Sequence, residues 1–281
     1  MVRSTARLAA LLWDVDGTIA ETERDGHRVA FNRALEDCGL SWQWDEHYYG
    51  PLLRVSGGFE RLMHDMTNRA GAPASLEERA ALARAIHTRK NVYYAELVRS
   101  GAIALRPGVL ALMRECREHD LAMGITTTTS RANVEALLSV HLGEQWQQWF
   151  AVVVCGEDVA RKKPDPEVYA RAVAALGLKP YQALAIEDSP DGAAAASAAG
   201  VPVVVARSTY FADSHIEGAL AVGPGLQTQQ GWQPTLGPQE DSRRMVGFGD
   251  LEVWWRLAQS ATRSRLSASG EGRESDGGQG D

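Results

Sequence analysis

Apolar residues along this chain follow two rhythms. Leu8–Trp13 is a short apolar run that stops at Asp14-Val-Asp-Gly, the pattern of a buried strand feeding a turn. From Glu21 to about Arg99 the spacing becomes helical. His27, Ala30, Phe31, Ala34 and Leu35 recur on one face, and Gly39 closes the helix. Ser75-Leu-Glu-Glu, with Glu78 three residues after Ser75, predicts a capping box opening another helix, whose stripe runs through Leu82 and Ile86.

After the breaker Arg106-Pro107-Gly108, helices and strands alternate. The pattern predicts helices over Val109–Glu118, Asn133–Val140, Pro166–Leu176 and Asp191–Ala199. Between and after them it predicts strands over Leu121–Ile125, Ala151–Cys155, Ala183–Ile186 and Val201–Val205. Short apolar strands joined through helices predict an α/β fold with a parallel sheet covered on both faces. A helical stretch separates the first strand from its partners. The core is therefore expected over 1–20 and 102–259, with a helical domain, 21–101, inserted into it. Gly223–Asp241, rich in Gly, Pro and Gln, reads as a surface loop. Leu251–Ala258, with Trp254 and Trp255, reads as a helix packed back on the core, and Ser260–Asp281 as a disordered tail.

Composition narrows the setting. The 281 residues allow one large domain or a core with a smaller insert, and 44% hydrophobic content excludes a mostly disordered chain. A formal net charge of −7 argues against a nucleic-acid partner, although local cations still permit a small anionic substrate. The three cysteines, Cys38, Cys116 and Cys155, form no metal or disulfide pattern, so a reducing cytoplasm is the expected compartment. The basic, apolar start runs straight into acidic residues without a cleavage site, and reads as a strand, not a signal peptide. No run approaches the ~20 apolar residues of a membrane span. The chain is expected to act as a monomer, away from membranes.

The candidate chemistry lies where the strands end. Asp14 and Asp16, with a turn at Gly17, suit divided labour: one attacks phosphorus, the other moves protons to the leaving group and from water. The same stretch also suits a plain acidic turn. Thr126-Thr127-Thr128-Thr129-Ser130 offers hydroxyls and backbone N–H groups to a phosphate, or simply an N-cap to a helix. In Lys162-Lys163-Pro164-Asp165-Pro166 a lysine is held at a turn that cannot become helical. It is placed to neutralise a phosphate and the nucleophile together, or to be solvated. Glu187-Asp188-Ser189-Pro190 offers hard oxygen donors suited to Mg2+, while Ser189 and Pro190 suit the N-cap and first position of a helix. All these stretches fall at carboxyl ends of strands in one inferred parallel sheet, where such sheets bind ligands.

In this order, DxDGT, a threonine run, KPDP and Glu-Asp resemble the motifs of the haloacid dehalogenase superfamily of phosphatases and phosphomutases. The resemblance spans roughly residues 8–210. It implies a Rossmann-like core with an inserted α-helical cap. It also implies a phosphorylated Asp14, Asp16 as acid/base, Thr127 and the Thr128 amide on the phosphate, and Lys163 bridging phosphate and Asp14. Mg2+ would be held by Asp14, the Asp16 carbonyl and Asp188, with Glu187 in support.

The cap stretches Glu21-Thr-Glu23-Arg-Asp-Gly-His27 and Leu52-Leu-Arg54-Val-Ser-Gly57-Gly58-Phe59-Glu60-Arg61 are similar to the CbbY branch, itself similar to β-phosphoglucomutase in fold. Better-known members of that branch remove a phosphate from xylulose 1,5-bisphosphate, an inhibitory by-product of Rubisco. The resemblance therefore implies a small phosphorylated sugar as substrate, contacted by Glu23, His27, Arg54, Gly57, Gly58, Arg61 and Thr128. A bisphosphate needs a second cationic site away from the metal, and Arg54 and Arg61 are the candidates. Phe59 departs from the branch, which usually carries lysine there. His27 reads as a cap residue facing the cleft, with no second histidine nearby to complete a metal pair. Two further readings stay open: a β-phosphoglucomutase-like mutase using the same aspartyl-phosphate, and a non-catalytic phosphosugar-binding protein.

Overall fold

The computed structural model describes residues 7–55, 57–234 and 244–270, the stretch 260–270 as backbone only. Ala10–Trp13 (β1) pairs on one side with Ala122–Thr126 (β2) and on the other with Ala183–Glu187 (β4). Val152–Val154 (β3), Val203–Ala206 (β5) and Ala221–Gly223 (β6) complete a six-stranded parallel sheet in the order β3-β2-β1-β4-β5-β6. The strand order reverses at β1, which places a crevice at the carboxyl ends of β1, β2 and β4. Trp13 lies level with Ile125 and Ile186. Asp14, Thr126 and Glu187 each follow one of these residues, so the register alone brings the motifs to one level.

Side chains alternate across the sheet. Leu11 and Trp13 join a core with Val109–Glu118 (α5), Arg131–Leu142 (α6) and Phe248–Gly270 (α9). Ala10 and Leu12 join the opposite core with Glu167–Ala175 (α7) and Pro190–Ala198 (α8). Both faces are dry, which is why the strands are apolar throughout.

The inserted cap consists of Arg28–Asp37 (α1), preceded by a π-helical turn over Thr22–His27, then Glu46–Leu52 (α2), Gly58–Thr67 (α3) and Leu76–Arg99 (α4). It has its own core around Phe31, Trp44, Tyr49, Leu62 and Ile86. Ser75 Oγ accepts from the Glu78 backbone N–H at 3.2 Å, the cap predicted for α4. The two crossings between cap and sheet meet as an antiparallel bridge between Ala20 and Leu105. Beside it, the Arg106 guanidinium donates to the carbonyls of Gly17, Ala206 and Arg207, tying the return crossing to the first motif.

The C-terminal region differs from its sequence-based expectation. β6 was not predicted, and residues after it fold back instead of forming a surface loop. Gln233 bridges Val222, and Trp232 is fully buried against Trp254, ring centroids 4.6 Å apart. A tryptophan inside a Gly/Pro/Gln-rich stretch supplies enough apolar area to anchor it to the core. Residues 235–241 of that stretch lie outside the described residues. α9 starts at Phe248, buries Leu251, Trp254 and Trp255, and continues to Gly270. Helical hydrogen bonds are local, so the helix runs on past Gln259, where a disordered tail was expected. The rest of that tail, 271–281, lies outside the described residues.

Candidate active site

Asp14, at the end of β1, and Glu187 and Asp188, at the end of β4, are buried and offer oxygens within 4.8 Å of one another. Lys163 reaches into this group from the loop before α7. Its Nζ donates to Asp14 Oδ1 at 2.7 Å, to Glu187 Oε1 at 2.6 Å and to the Thr126 carbonyl at 2.9 Å. Glu187 also accepts from the Tyr169 hydroxyl and, at 3.3 Å, from the Asp188 N–H. The cluster needs room that only glycine leaves. A Cβ on Gly17, whose φ is +85°, or on Gly192 would overlap the Asp188 and Glu187 carboxylates respectively. Ser189 caps α8 by accepting from the Gly192 N–H at 3.1 Å, with Pro190 in first position, so the capping and acidic readings of this stretch both hold.

The electrostatics are unbalanced. Burial pushes the Asp14 carboxyl up to about 7; Lys163 opposes this, and Glu187 and Asp16 add to it. Asp188 is held well above the ordinary carboxylate range by burial and then by Asp14 and Glu187, with Ser208 and Arg106 opposing. Burial works against the Lys163 charge, yet Asp14 and Glu187 hold its pKa well above the usual value. One ammonium therefore faces three buried carboxylates. Asp14 Oδ2 is buried without a hydrogen-bond partner. An orphaned carboxylate oxygen among hard oxygen donors, short of positive charge, fits a divalent cation such as Mg2+.

Asp16 turns towards the cap. It accepts from Thr22 Oγ1 at 2.5 Å, and His27 Nε2 lies 3.4 Å away. Burial would raise its pKa, but the His27 contact and charge, Thr22 and Lys90 together bring it to about 2. The His27 ring stacks on Tyr94 at 4.1 Å.

Above these groups lies a cleft of about 960 Å³ bounded by core and cap. Thr128, Thr129 and Ser130 line it, whereas Thr127 does not. Thr127 is fully buried behind them, its Oγ1 accepting from the Thr129 N–H at 3.2 Å. Glu23, His27, Arg54, Gly57, Gly58 and Arg61 all line the cleft, but the two arginines are unequal. Arg54 is exposed at the rim. Arg61 is 5% exposed and committed within the cap, donating to Tyr49 Oη at 2.6 Å and to the Leu52 carbonyl at 3.2 Å. Glu23 lies 3.4 Å from it and accepts from the Tyr49 hydroxyl at 2.6 Å.

Sequence reasoning missed Lys90. It is 4% exposed and lines the cleft, its Nζ 5.0 Å from the centroid of Tyr94 and 5.4 Å from that of Phe31. Burial lowers its pKa to about 8, with Arg61 adding to this and Glu23 and Asp16 opposing it. The signal was present, because Lys90 interrupts an apolar stripe through Ala83, Ile86, Tyr94 and Leu97 at helical spacing. Asn91, Asn133, Lys162 and the Ser208–His215 loop also line the cleft.

A haloacid dehalogenase-like hydrolase family profile matches residues 8–200. The plasmid-encoded protein CbbY of Cupriavidus necator is 44% identical over 247 residues, 88% of this chain and 96% of that protein. CbbY of Rhodobacter capsulatus is 42% identical over 203 residues, 72% of this chain and 87% of that protein. Two crystal structures of CbbY from Rhodobacter sphaeroides match with a TM-score of 0.71 at 37% identity, covering 78% of this chain and 94% of theirs. One is a complex with phosphate, the other a mutant in complex with xylulose 1,5-bisphosphate.

Proposed function

The chain belongs to the haloacid dehalogenase-like hydrolase family, as a phosphatase of the CbbY type, and we propose that it hydrolyses a small phosphorylated sugar with Mg2+, xylulose 1,5-bisphosphate first among the candidates. The observation that carries the reading is the buried Asp14 carboxylate, one oxygen tied to Lys163 and the other without a partner at the floor of a substrate-sized cleft. The ion would be held by Asp14, the Asp16 carbonyl and Asp188, with Glu187 in support, and would offset the charge between an anionic nucleophile and an anionic phosphate.

In this reading Asp14 attacks phosphorus, and the bond to the sugar oxygen breaks as an aspartyl-phosphate forms. Lys163 keeps Asp14 oriented and neutralises a phosphate oxygen. Thr128, whose side chain and amide belong to the run that lines the cleft, holds the transferred group, while the buried Thr127 supports that run through the Thr129 N–H and does not reach the substrate as the resemblance had implied. Asp16 gives the departing sugar oxygen a proton and then takes one from the water that hydrolyses the aspartyl-phosphate. A pKa near 2 keeps Asp16 ionised while His27 and Thr22 hold it. Leaving those partners for an anionic substrate raises that pKa and lets it carry the proton. Arg54 and Lys90 are cationic groups open to the rest of the substrate, and Glu23 and His27 suit its hydroxyls.

The test is phosphate release from a panel of sugar mono- and bisphosphates, with Mg2+ and with chelator. The expected result is Mg2+-dependent release with the highest kcat/KM on the ketose bisphosphate. A higher kcat/KM on a hexose monophosphate, or an isomerised sugar phosphate as product, overturns the substrate assignment.

A further inference from the structure

Lys162 stands one residue before the lysine that holds Asp14, yet its side chain leaves the floor and reaches the cap. Its Nζ lies 3.3 Å from the point where a side chain on Gly57 would begin, so this core residue touches the turn that opens α3. It is half-buried and lines the cleft. Among the described residues no carboxylate lies within 4.0 Å of its ammonium. Glu60 folds its carboxylate over the same glycine without closing an ion pair with it.

Glu60 is the carboxylate nearest this turn, and the other groups around it are neutral or cationic. His87 lies 3.0 Å from the corresponding point on Gly58, and burial, Lys90 and Lys162 press its pKa below the ordinary histidine value, against Glu60. The residue between, Phe59, packs on the cap core and brings no charge to the cleft. Arg61 is occupied inside the cap. The Gly57-Gly58 turn thus faces a core ammonium that makes no ion pair among the described residues.

We propose that Lys162 is a specificity-determining residue that contacts the far anionic group of a doubly anionic substrate across the Gly57-Gly58 turn. The proposal rests on the bisphosphatase reading above. The ammonium is half-buried beside the turn, so an anion bound there meets a charge less screened than one on the open surface. Glu60 is a competitor for that charge, although it makes no ion pair with the ammonium.

The experiment compares Lys162→Met, Lys162→Arg and Glu60→Gln with the unaltered enzyme, using a ketose bisphosphate and the matching monophosphate, with melting temperatures to confirm folding. Loss of one charged hydrogen bond predicts that Lys162→Met raises KM for the bisphosphate about tenfold or more, with a much smaller rise for the monophosphate and little change in kcat. Lys162→Arg recovers most of the loss, and Glu60→Gln lowers KM for the bisphosphate. Calorimetric titration of bisphosphate into Asp14→Asn protein, with and without Lys162→Met, gives the same ratio without turnover. Equal losses on both substrates, reproduced by Glu60→Gln, make Lys162 a cap latch and overturn the proposal. An unaltered enzyme without preference for the bisphosphate overturns the substrate reading and this proposal with it. A clear preference that survives Lys162→Met overturns this proposal alone.

Discussion

Lys163 Nζ and Asp14 Oδ1, separated by 149 positions in the chain, meet at 2.7 Å beneath the cleft. That contact leaves the other oxygen of Asp14 without a partner. Asp14→Asn preserves shape and keeps Lys163 bonded to Glu187, so the fold should survive. Turnover should fall at least about 10³-fold, as when a nucleophile acting within a catalytic unit is removed. Steady-state phosphate release alongside circular dichroism checks this, and near-normal turnover would remove Asp14 from its proposed role.

Asp188→Asn separates metal binding from stability. Asp188 has a folded pKa well above its unfolded value. The stability it contributes is complete below the unfolded pKa, near 3.8, and is lost as pH rises through the folded value. At neutral pH without metal, the variant escapes that loss and should melt higher than the unaltered protein. A gain of about 1 kcal/mol would raise Tm by about 2–4 °C in a protein of this size. Mg2+ should raise the melting temperature of the unaltered protein and barely move that of the variant. Calorimetry in chelator and in Mg2+ reads both effects.

Lys90 should place an alkaline limb on the pH profile. Its pKa, lowered by burial to about 8, leaves it cationic below that pH and neutral above it. An anionic substrate meets less positive charge as the pH rises, so kcat/KM should decline above about 8. Lys90→Met should lower kcat/KM and flatten this limb. A limb that persists unchanged in the variant belongs to another group.

The two cap arginines should fail differently. Arg61 is bonded to Tyr49 and Leu52 with Glu23 beside it. Arg61→Ala removes the bonds to Tyr49 and Leu52 and leaves Glu23 with Lys90 as its nearby buried cation, and should cost about 1–3 kcal/mol, seen as a lower melting temperature. Arg54 is exposed, and Arg54→Ala should leave the melting temperature nearly unchanged while raising KM for the substrate. Equal melting temperatures in the two variants would show that the Arg61 network contributes little to the cap.

The order of elements was legible because its causes are local. Leu8–Trp13 can be nothing but apolar on both faces, Ser75 with Glu78 starts a helix whatever lies around it, and Gly17, Gly39 and Pro190 act on their own backbone. The site motifs were legible for a related reason: Asp14, Lys163 and Glu187-Asp188 each sit beside an element boundary that spacing reveals. Parallel pairing then brings strand ends together, since Trp13 aligns with both Ile125 and Ile186.

Other features depended on which surfaces meet. Arg61 reads in sequence as a candidate for the second cationic site, and only the approach of α2 to α3 buries it against Tyr49. Lys90 interrupts a stripe, and only the packing of α4 in the cap turns it towards Asp16 and Glu23. Trp232 sits among residues that predict a loop, and only the position of α9 gives its ring a partner in Trp254. Lys162 and Lys163 are adjacent and chemically alike, yet one is drawn to the floor by Asp14 and Glu187 while the other lies against the cap turn. The sequence by itself determined the elements, their order and the chemistry at their ends, because propensity, capping and periodicity act over a few residues. The tertiary structure alone decided which charges are paired and which face the cleft, because burial and pairing depend on segments far apart in the chain.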